Sequence, residues 1–211
     1  MGTISTNKLA GLTMIIGPAL GVLIWLVVGI AMGGSTNPVD FQAQADSVTG
    51  GKALAFTIAM LSIITTVFGW GVVQKSTSVD GVGEALTRLG FLFYLFQVIA
   101  GTVFIGATIA ASWQGSAGAN TIAVGFGVNV LGGILGGIGI ILFAMGLSAR
   151  NEYNSIMAYI VSIAWVLGII FSALIILDKN QAELSQIVIT IAFIITAIWS
   201  ITVGRVIMNK E

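Results

Sequence analysis

The sequence contains no histidine and no cysteine, and it has only eight basic and eight acidic residues among 211. Charged residues make up 8% of the chain, whereas an ordinary soluble domain carries about a quarter. The missing residue types exclude imidazole bases, disulfides and the common zinc, copper and haem ligand sets. No basic patch is present that could hold a nucleic-acid backbone. The composition therefore excludes a soluble enzyme and predicts no catalytic residues, no cofactor, no metal site and no nucleic-acid partner.

The sequence consists largely of long apolar runs. Hydrophobic residues make up 57% of it, and its mean hydropathy is +1.06. Each run reaches the ~20 residues that a helix needs to cross a bilayer. The runs are continuous rather than alternating, which favours helices over the strands of a membrane barrel. The sequence predicts an all-α polytopic membrane protein, a single integral membrane domain over residues 1–211 that forms a bundle of six transmembrane helices with short loops. The predicted spans are about 9–33, 53–74, 89–112, 121–147, 156–177 and 185–207.

The distribution of cations predicts the orientation of this bundle. One side of the membrane collects six cations and the other collects Lys52 and Lys179. Cytoplasmic loops carry the excess of Lys and Arg, so we expect a cell-membrane protein with both termini in the cytoplasm. The six inner cations lie in separate stretches of sequence, and the sequence shows no polybasic cluster for anionic headgroups. These cations are Lys8, Lys75, Arg88, Arg150, Arg205 and Lys210.

Two loop patterns predict where helices begin. Asp80, Glu84 and Arg88 follow each other at spacings of four, which predicts that the third long helix starts before its apolar run. Asn180 followed by Glu183 resembles a capping box at the start of the last helix.

Glycine spacing is the clearest packing signal in the sequence. The fourth span contains two overlapping GxxxG pairs, and the first span repeats the spacing twice. Such faces let two helix backbones approach closely. This matters in lipid because the hydrophobic effect does not drive helices together there, so their association depends on van der Waals contact. Packing within the bundle is the favoured interpretation, and a docking face for a partner chain is the alternative. The pairs are Gly132 with Gly136, Gly133 with Gly137, Gly17 with Gly21 and Gly29 with Gly33.

Two amides are the most polar side chains in the central parts of the predicted spans, which contain no acid and no cation. Gln97 and Asn129 lie at depths that differ by roughly 5 Å in a ~30 Å hydrocarbon core. Antiparallel neighbours could therefore join them in an interhelical hydrogen bond, and the alternative is that they line a narrow polar path.

Several aromatic residues lie near the predicted membrane interfaces. Trp113, Tyr153 and Trp70 are placed there as an aromatic belt would be. Trp165, Trp199 and Trp25 lie deeper, where we expect packing or lipid contact, with a pocket for a pigment or quinone as the less favoured alternative.

These observations support one main functional hypothesis and one alternative. A chain without reacting groups but with close-packing faces is expected to be a non-catalytic structural or accessory subunit of a larger membrane complex, for example a membrane oxidoreductase or monooxygenase. Its partners would be the lipid bilayer and other membrane subunits or a second copy of the chain, and any catalysis would belong to a partner. The alternative is a channel or carrier for a small neutral solute that passes Gln97 and Asn129.

Overall fold

A computed structural model of the protein describes residues 4–31, 37–79 and 81–210, and every regular element in these ranges is helical. The expected all-α class is thus confirmed for the described residues. The helix bounds are α1 Thr6–Ala31, α2 Phe41–Ser47, α3 Gly50–Thr77, α4 Glu84–Gln114, α5 Ala119–Ser148, α6 Ser155–Leu177 and α7 Ala182–Met208. Short 3-10 turns at Gly115–Gly118 and Lys179–Gln181 precede α5 and α7.

Five continuous helical segments in the described ranges are long and apolar enough to cross a membrane. The third of them contains both α4 and α5 with the 3-10 turn between them. Length and composition therefore support a membrane protein. The segments are Thr6–Val28, Gly50–Thr77, Glu84–Ser148, Ser155–Leu177 and Lys179–Met208. Residues 32 and 33, at the end of the first predicted span, lie outside the described residues.

One of the two predicted helix starts is correct. Helix α4 begins at Glu84, directly after Gly83, whose φ of +72° lies in the left-handed region that favours glycine. The predicted capping box at Asn180 is wrong, because the side chain of Asp178 accepts from the Asn180 backbone N–H at 2.9 Å and caps a 3-10 turn instead. Helix α7 then starts without a side-chain cap.

The long helices form a closed ring. Each packs against its neighbours in the order α1, α3, α4, α5, α6 and α7, and α7 packs back against α1. The Asn7 side chain donates to the backbone oxygen of Lys210 at 2.6 Å, so the start of α1 meets the end of α7. We call this end of the ring the terminal end, and the other end, where α2 lies, the α2 end.

The main hydrophobic core fills the half of the ring nearest the terminal end. Its large fully buried side chains come from several helices, among them Met14 of α1, Trp165 of α6 and Trp199 of α7. A smaller cluster at the α2 end, formed by Ala45, Val48, Ala111 and Ile122, holds α2 against α4 and α5.

Candidate functional sites in the helix seams, the core and the loop ends

The glycine faces of α5 lie against helices of the same chain. Gly132 faces Ala100 of α4, and Gly136 faces the side chain of Gln97 on the same helix. Gly137 faces α6, where an added Cβ would come within 2.7 Å of the Trp165 ring. Gly133 is packed more loosely, with the Ser172 hydroxyl 3.9 Å from such a Cβ. The two overlapping GxxxG pairs thus serve different seams, one toward α4 and one toward α6.

The glycines of α1 follow the same pattern. A Cβ on Gly17 would lie 2.5 Å from the backbone oxygen of Ser62, and one on Gly21 would lie 2.7 Å from Ile63. Both contacts are with α3. Gly29 lies within α1, and Gly33 lies outside the described residues.

A reciprocal backbone contact between Gly90 of α4 and Gly139 of α5 is one that the sequence analysis did not predict. A Cβ on Gly90 would lie 2.6 Å from the Gly139 backbone oxygen, and a Cβ on Gly139 would lie 2.7 Å from the Gly90 backbone oxygen. Here backbone meets backbone. Neither residue belongs to one of the GxxxG pairs considered above, and no spacing rule pairs residues of different helices, so only the register of the two helices reveals the contact.

The two amides both lie along the α4–α5 contact, but no hydrogen bond joins them in the described part of the chain. Gln97 is 9% exposed, and its Oε1 atom has no hydrogen-bond partner. Asn129 lies about one turn away, with its Oδ1 atom 4.0 Å from the Cβ position of Gly101. The expected hydrogen bond is not made because the Gln97 side chain lies in the space that Gly136 leaves.

We expect Gln97→Met to stabilise the protein by about 1 kcal/mol, because it removes a buried carbonyl oxygen whose lack of a partner costs about 1–3 kcal/mol. The flexible methionine side chain can fill the same space. The midpoint of thermal unfolding in detergent should rise, whereas Gln97→Ala should lower it by leaving a void. A lower midpoint for Gln97→Met would mean that the amide has a polar partner.

An aromatic cluster fills the ring in its terminal half. The Trp70 ring centroid lies 4.9 Å from those of Phe143 and Trp199 and 6.5 Å from that of Tyr94. The Tyr94 hydroxyl forms a hydrogen bond with Thr66 at 2.5 Å. These four rings therefore join α3, α4, α5 and α7 across the interior of the ring.

The space inside this cluster is small. The cavity there has a volume of about 10 Å³, which is about the space that one water molecule requires. It is too small for a pigment or a quinone. Its lining residues are Trp70, Tyr94, Gly139, Ile140, Phe143, Thr196 and Trp199.

The aromatic-belt interpretation is wrong for two of its three residues. Trp113 is 81% exposed at the end of α4, as a belt residue should be. Trp70 and Tyr153 are buried, at 5% and 4% exposure. Their positions near the predicted membrane interface were compatible with a belt, but both pack into the hydrophobic core rather than on the surface.

Charged side chains connect separate loops at the terminal end. One carboxylate oxygen of Glu152 accepts from Arg150 Nε at 2.9 Å and from Lys210 Nζ at 2.8 Å. Arg150 also donates to the backbone oxygen of Val82 at 3.3 Å. Burial by itself would raise the pKa of Glu152, but the hydrogen bonds and charges of Lys210 and Arg150 outweigh it and hold the pKa below its ordinary value. The cluster thus ties the α3–α4 loop, the α5–α6 loop and the chain end together.

We expect Glu152→Gln to lower stability at pH 7 by up to about 1 kcal/mol, the usual upper value for a partly exposed ion pair. Because the pKa of Glu152 is lowered on folding, the carboxylate stabilises the fold above its ordinary pKa of 4.5 and loses this effect as the pH falls through the lower folded value. The difference in unfolding midpoint between wild type and variant should therefore shrink below pH 4.5. A difference that stays constant down to pH 3 would contradict this role.

An open groove lies on the outer surface of the α4–α5 seam, near the α2 end. Its volume is about 490 Å³. Val124 on its wall is 70% exposed, and a Cβ added to the nearby Gly106 or Gly127 would meet no atom within 4 Å. Val124, Gly106 and Gly127 are therefore not covered by another helix in the described ranges. The groove is lined by Val103, Ala107, Asn120, Thr121, Val124 and Gly125.

Neither a metal site nor a similarity to known proteins assigns a function to these surfaces. Within residues 4–31, 37–79 and 81–210, no three His, Cys, Asp or Glu side chains lie close enough to hold a metal ion. Comparisons with models of protein families, with curated proteins and with solved structures found no match to this chain.

Proposed function

We propose that this protein is a non-catalytic subunit of a larger membrane complex, and that α1 and α3–α7 cross the bilayer as six helices. The segment Glu84–Ser148 has 65 residues, and as one straight helix it would extend about 98 Å, three times the thickness of a hydrocarbon core. Its two helices are antiparallel, since Gly90 faces Gly139 while Ala107, later in α4, faces Gly125, earlier in α5. This geometry supports two crossings by this segment.

The charge distribution supports a cytoplasmic location for both termini in the cell membrane. The six cations that the sequence assigns to the inner side belong to the helix ends and loops of the terminal end, whereas Lys52 and Lys179 belong to the α2 end. An excess of Lys and Arg in short loops is typical of the cytoplasmic side.

The groove at the α4–α5 seam is the observation that carries the subunit proposal. Helices associate in lipid where small residues permit close approach and where polar side chains can bond across the contact. Gly106 and Gly127 beside the groove leave room for close approach, Ala107 on its wall is partly exposed, and the exposed Asn120 provides a polar group at one end. The occupant that we propose is a transmembrane helix of another subunit.

This proposal changes the expected docking surface. The GxxxG glycines of α5 lie against α4 and α6, and Gly17 and Gly21 lie against α3. A partner would therefore bind the outer groove rather than these faces. The chain contains no His and no Cys, so redox or hydrolytic chemistry in the complex would belong to the partner, for which a membrane oxidoreductase or monooxygenase is one hypothesis.

The experiment is extraction of the native protein in gentle detergent, with a photoreactive amino acid at Val124 and with two matched tryptophan variants. Val124→Trp fills the groove, while Ile163→Trp replaces a residue of similar exposure, 63%, on α6. We expect cross-linking from Val124 to a membrane helix of a different protein. That protein should copurify with the wild type and with Ile163→Trp but be lost with Val124→Trp. Recovery of only the free chain or a homo-oligomer, without cross-links to another protein, would refute the proposal.

A channel or carrier for a small neutral solute is the second candidate. The unpaired carbonyl oxygen of Gln97, buried near the middle of α4, is the observation that favours it. The aromatic side chains of Trp70, Phe143 and Trp199 fill the ring in its terminal half, which favours the subunit instead. A channel requires solute flux in proteoliposomes that Gln97→Leu and Asn129→Leu abolish, and a subunit requires no flux.

A further inference from the structure

Four exposed cations lie at the terminal end of neighbouring helices. Lys8 is in the first turn of α1, Lys75 in the last turn of α3, Arg88 in the second turn of α4 and Arg205 in the last turn of α7. In the ring, α7 packs against α1, α1 against α3, and α3 against α4. The four cations thus follow one another along one side of the bundle, and we call them the basic arc.

The basic arc is not neutralised by the described acids of the chain. None of its four members forms an ion pair with a residue that the structure describes, whereas Arg150 and Lys210 of the same end share the carboxylate of Glu152. That shared cluster joins the α5–α6 loop to Val82 of the α3–α4 loop and to Lys210 after α7, and none of the four arc cations takes part in it. Glu84 lies one turn before Arg88 on α4 but forms no ion pair with it, so the four exposed cations at the ends of α7, α1, α3 and α4 are unpaired among the described residues.

Exposed leucines adjoin two of the four cations in the sequence. Leu9, next to Lys8, is 44% exposed, and Leu89, next to Arg88, is 45% exposed. A soluble anion would gain nothing from such neighbours. A phospholipid would place its phosphate on the cations and its acyl chains on the leucines, with the long stems of Lys and Arg lying along the apolar surface.

We propose that the basic arc binds the headgroup phosphates of anionic phospholipids in the leaflet at the terminal end. Each Lys or Arg near an anionic lipid surface contributes about 1 kcal/mol, which is a factor of about five in an equilibrium constant. The arc reaches the lower limit of the clusters of four to eight cations that are typical of such recognition. This proposal rests on the proposed crossing of the bilayer by the long helices, and it is independent of the partner in the α4–α5 groove.

The experiment is a titration of the full chain in mild detergent with phosphatidylglycerol and, separately, with phosphatidylcholine, in which bound lipids are counted by native mass spectrometry. Two double variants remove half of the arc each, Lys8→Gln with Arg205→Gln and Lys75→Gln with Arg88→Gln. A control, Ala149→Glu with Asn151→Glu, changes the net charge by the same amount at exposed positions in the α5–α6 loop.

We expect the wild type to prefer phosphatidylglycerol at least fivefold, each arc variant to lose most of this preference, and the control to keep it. Raising the salt from 0.1 to 1 M should weaken the preference, because the screening length falls from about 10 Å to about 3 Å. Equal binding of both lipids by the wild type, an unchanged preference in the arc variants, or an equal loss in the control would overturn the proposal. Binding of neither lipid would also overturn the proposal, whereas failure of the wild type to insert into liposomes would overturn the bilayer crossing on which it rests.

Discussion

Gly139→Ala should destabilise the protein by about 3 kcal/mol, the upper part of the usual range for overpacking. The added Cβ would lie 2.7 Å from the backbone oxygen of Gly90, 2.8 Å from the Phe93 Cβ and 2.8 Å from the Tyr94 backbone nitrogen. Backbone atoms cannot rotate away as the end of a flexible side chain can. Helices α4 and α5 would therefore have to separate along the seam that also places Tyr94 and Phe143 beside Trp70.

Gly127→Ala is the matched control on the same helix, because a Cβ at Gly127 meets no atom within 4 Å. We expect it to be neutral or slightly stabilising, since alanine has the higher helix propensity. The measurement is the midpoint of unfolding in detergent. Unfolding is monitored through the helix content and through the near-ultraviolet signal of the tryptophans. Equal midpoints for the two variants would contradict the backbone contact between Gly90 and Gly139.

Trp199→Ala should lower stability by about 3–5 kcal/mol, the range for truncating a large aromatic side chain in a core. Trp199 is 2% exposed, and its ring lies 4.9 Å from that of Trp70. Its removal leaves a void inside the ring that neighbouring helices cannot close without shifting. Because lipid supplies no hydrophobic drive between helices, the loss is mainly one of van der Waals contact.

Trp113→Ala serves as the control, because this residue is 81% exposed and lies outside the core. We expect a change within about 0.5 kcal/mol. A void lined by apolar and aromatic residues can bind a small apolar molecule. Benzene should therefore raise the unfolding midpoint of Trp199→Ala and leave that of Trp113→Ala unchanged. The same midpoint for both variants would show that Trp199 does not fill the interior of the ring.

The apolar runs were sufficient to locate the long helices, because the length of a helix that avoids water can be read from the length of its apolar run. The i, i+4 spacing of Glu84 and Arg88 was sufficient to place the start of α4 ahead of its apolar run. Glycine spacing showed that α5 has small-residue faces. It could not show that Gly136 faces Gln97 while Gly137 faces Trp165, because the partner of each face depends on which helices are neighbours.

The predicted depth of a residue in the membrane did not indicate whether its side chain faces the interior or the surface of the ring. Trp70 and Tyr153 lie at depths compatible with an aromatic belt and are nevertheless buried. Gln97 and Asn129 lie at similar depths and do not bond to each other in the described structure, because the nearest space for the Gln97 side chain is the one that Gly136 leaves.

The sequence by itself determined the all-α class, the presence of helices long and apolar enough to cross a membrane, and the absence of histidine and cysteine, because these follow from composition and from the length of apolar runs. The tertiary structure alone decided which helices are neighbours, and therefore which faces are filled and which remain open. Lys8, Lys75, Arg88 and Arg205 are far apart in the chain, and they form one arc only because α7, α1, α3 and α4 are adjacent in the closed ring. The order of helices around a ring is set by packing between segments that are distant in the chain, and the local sequence of one helix does not indicate which helices are its neighbours.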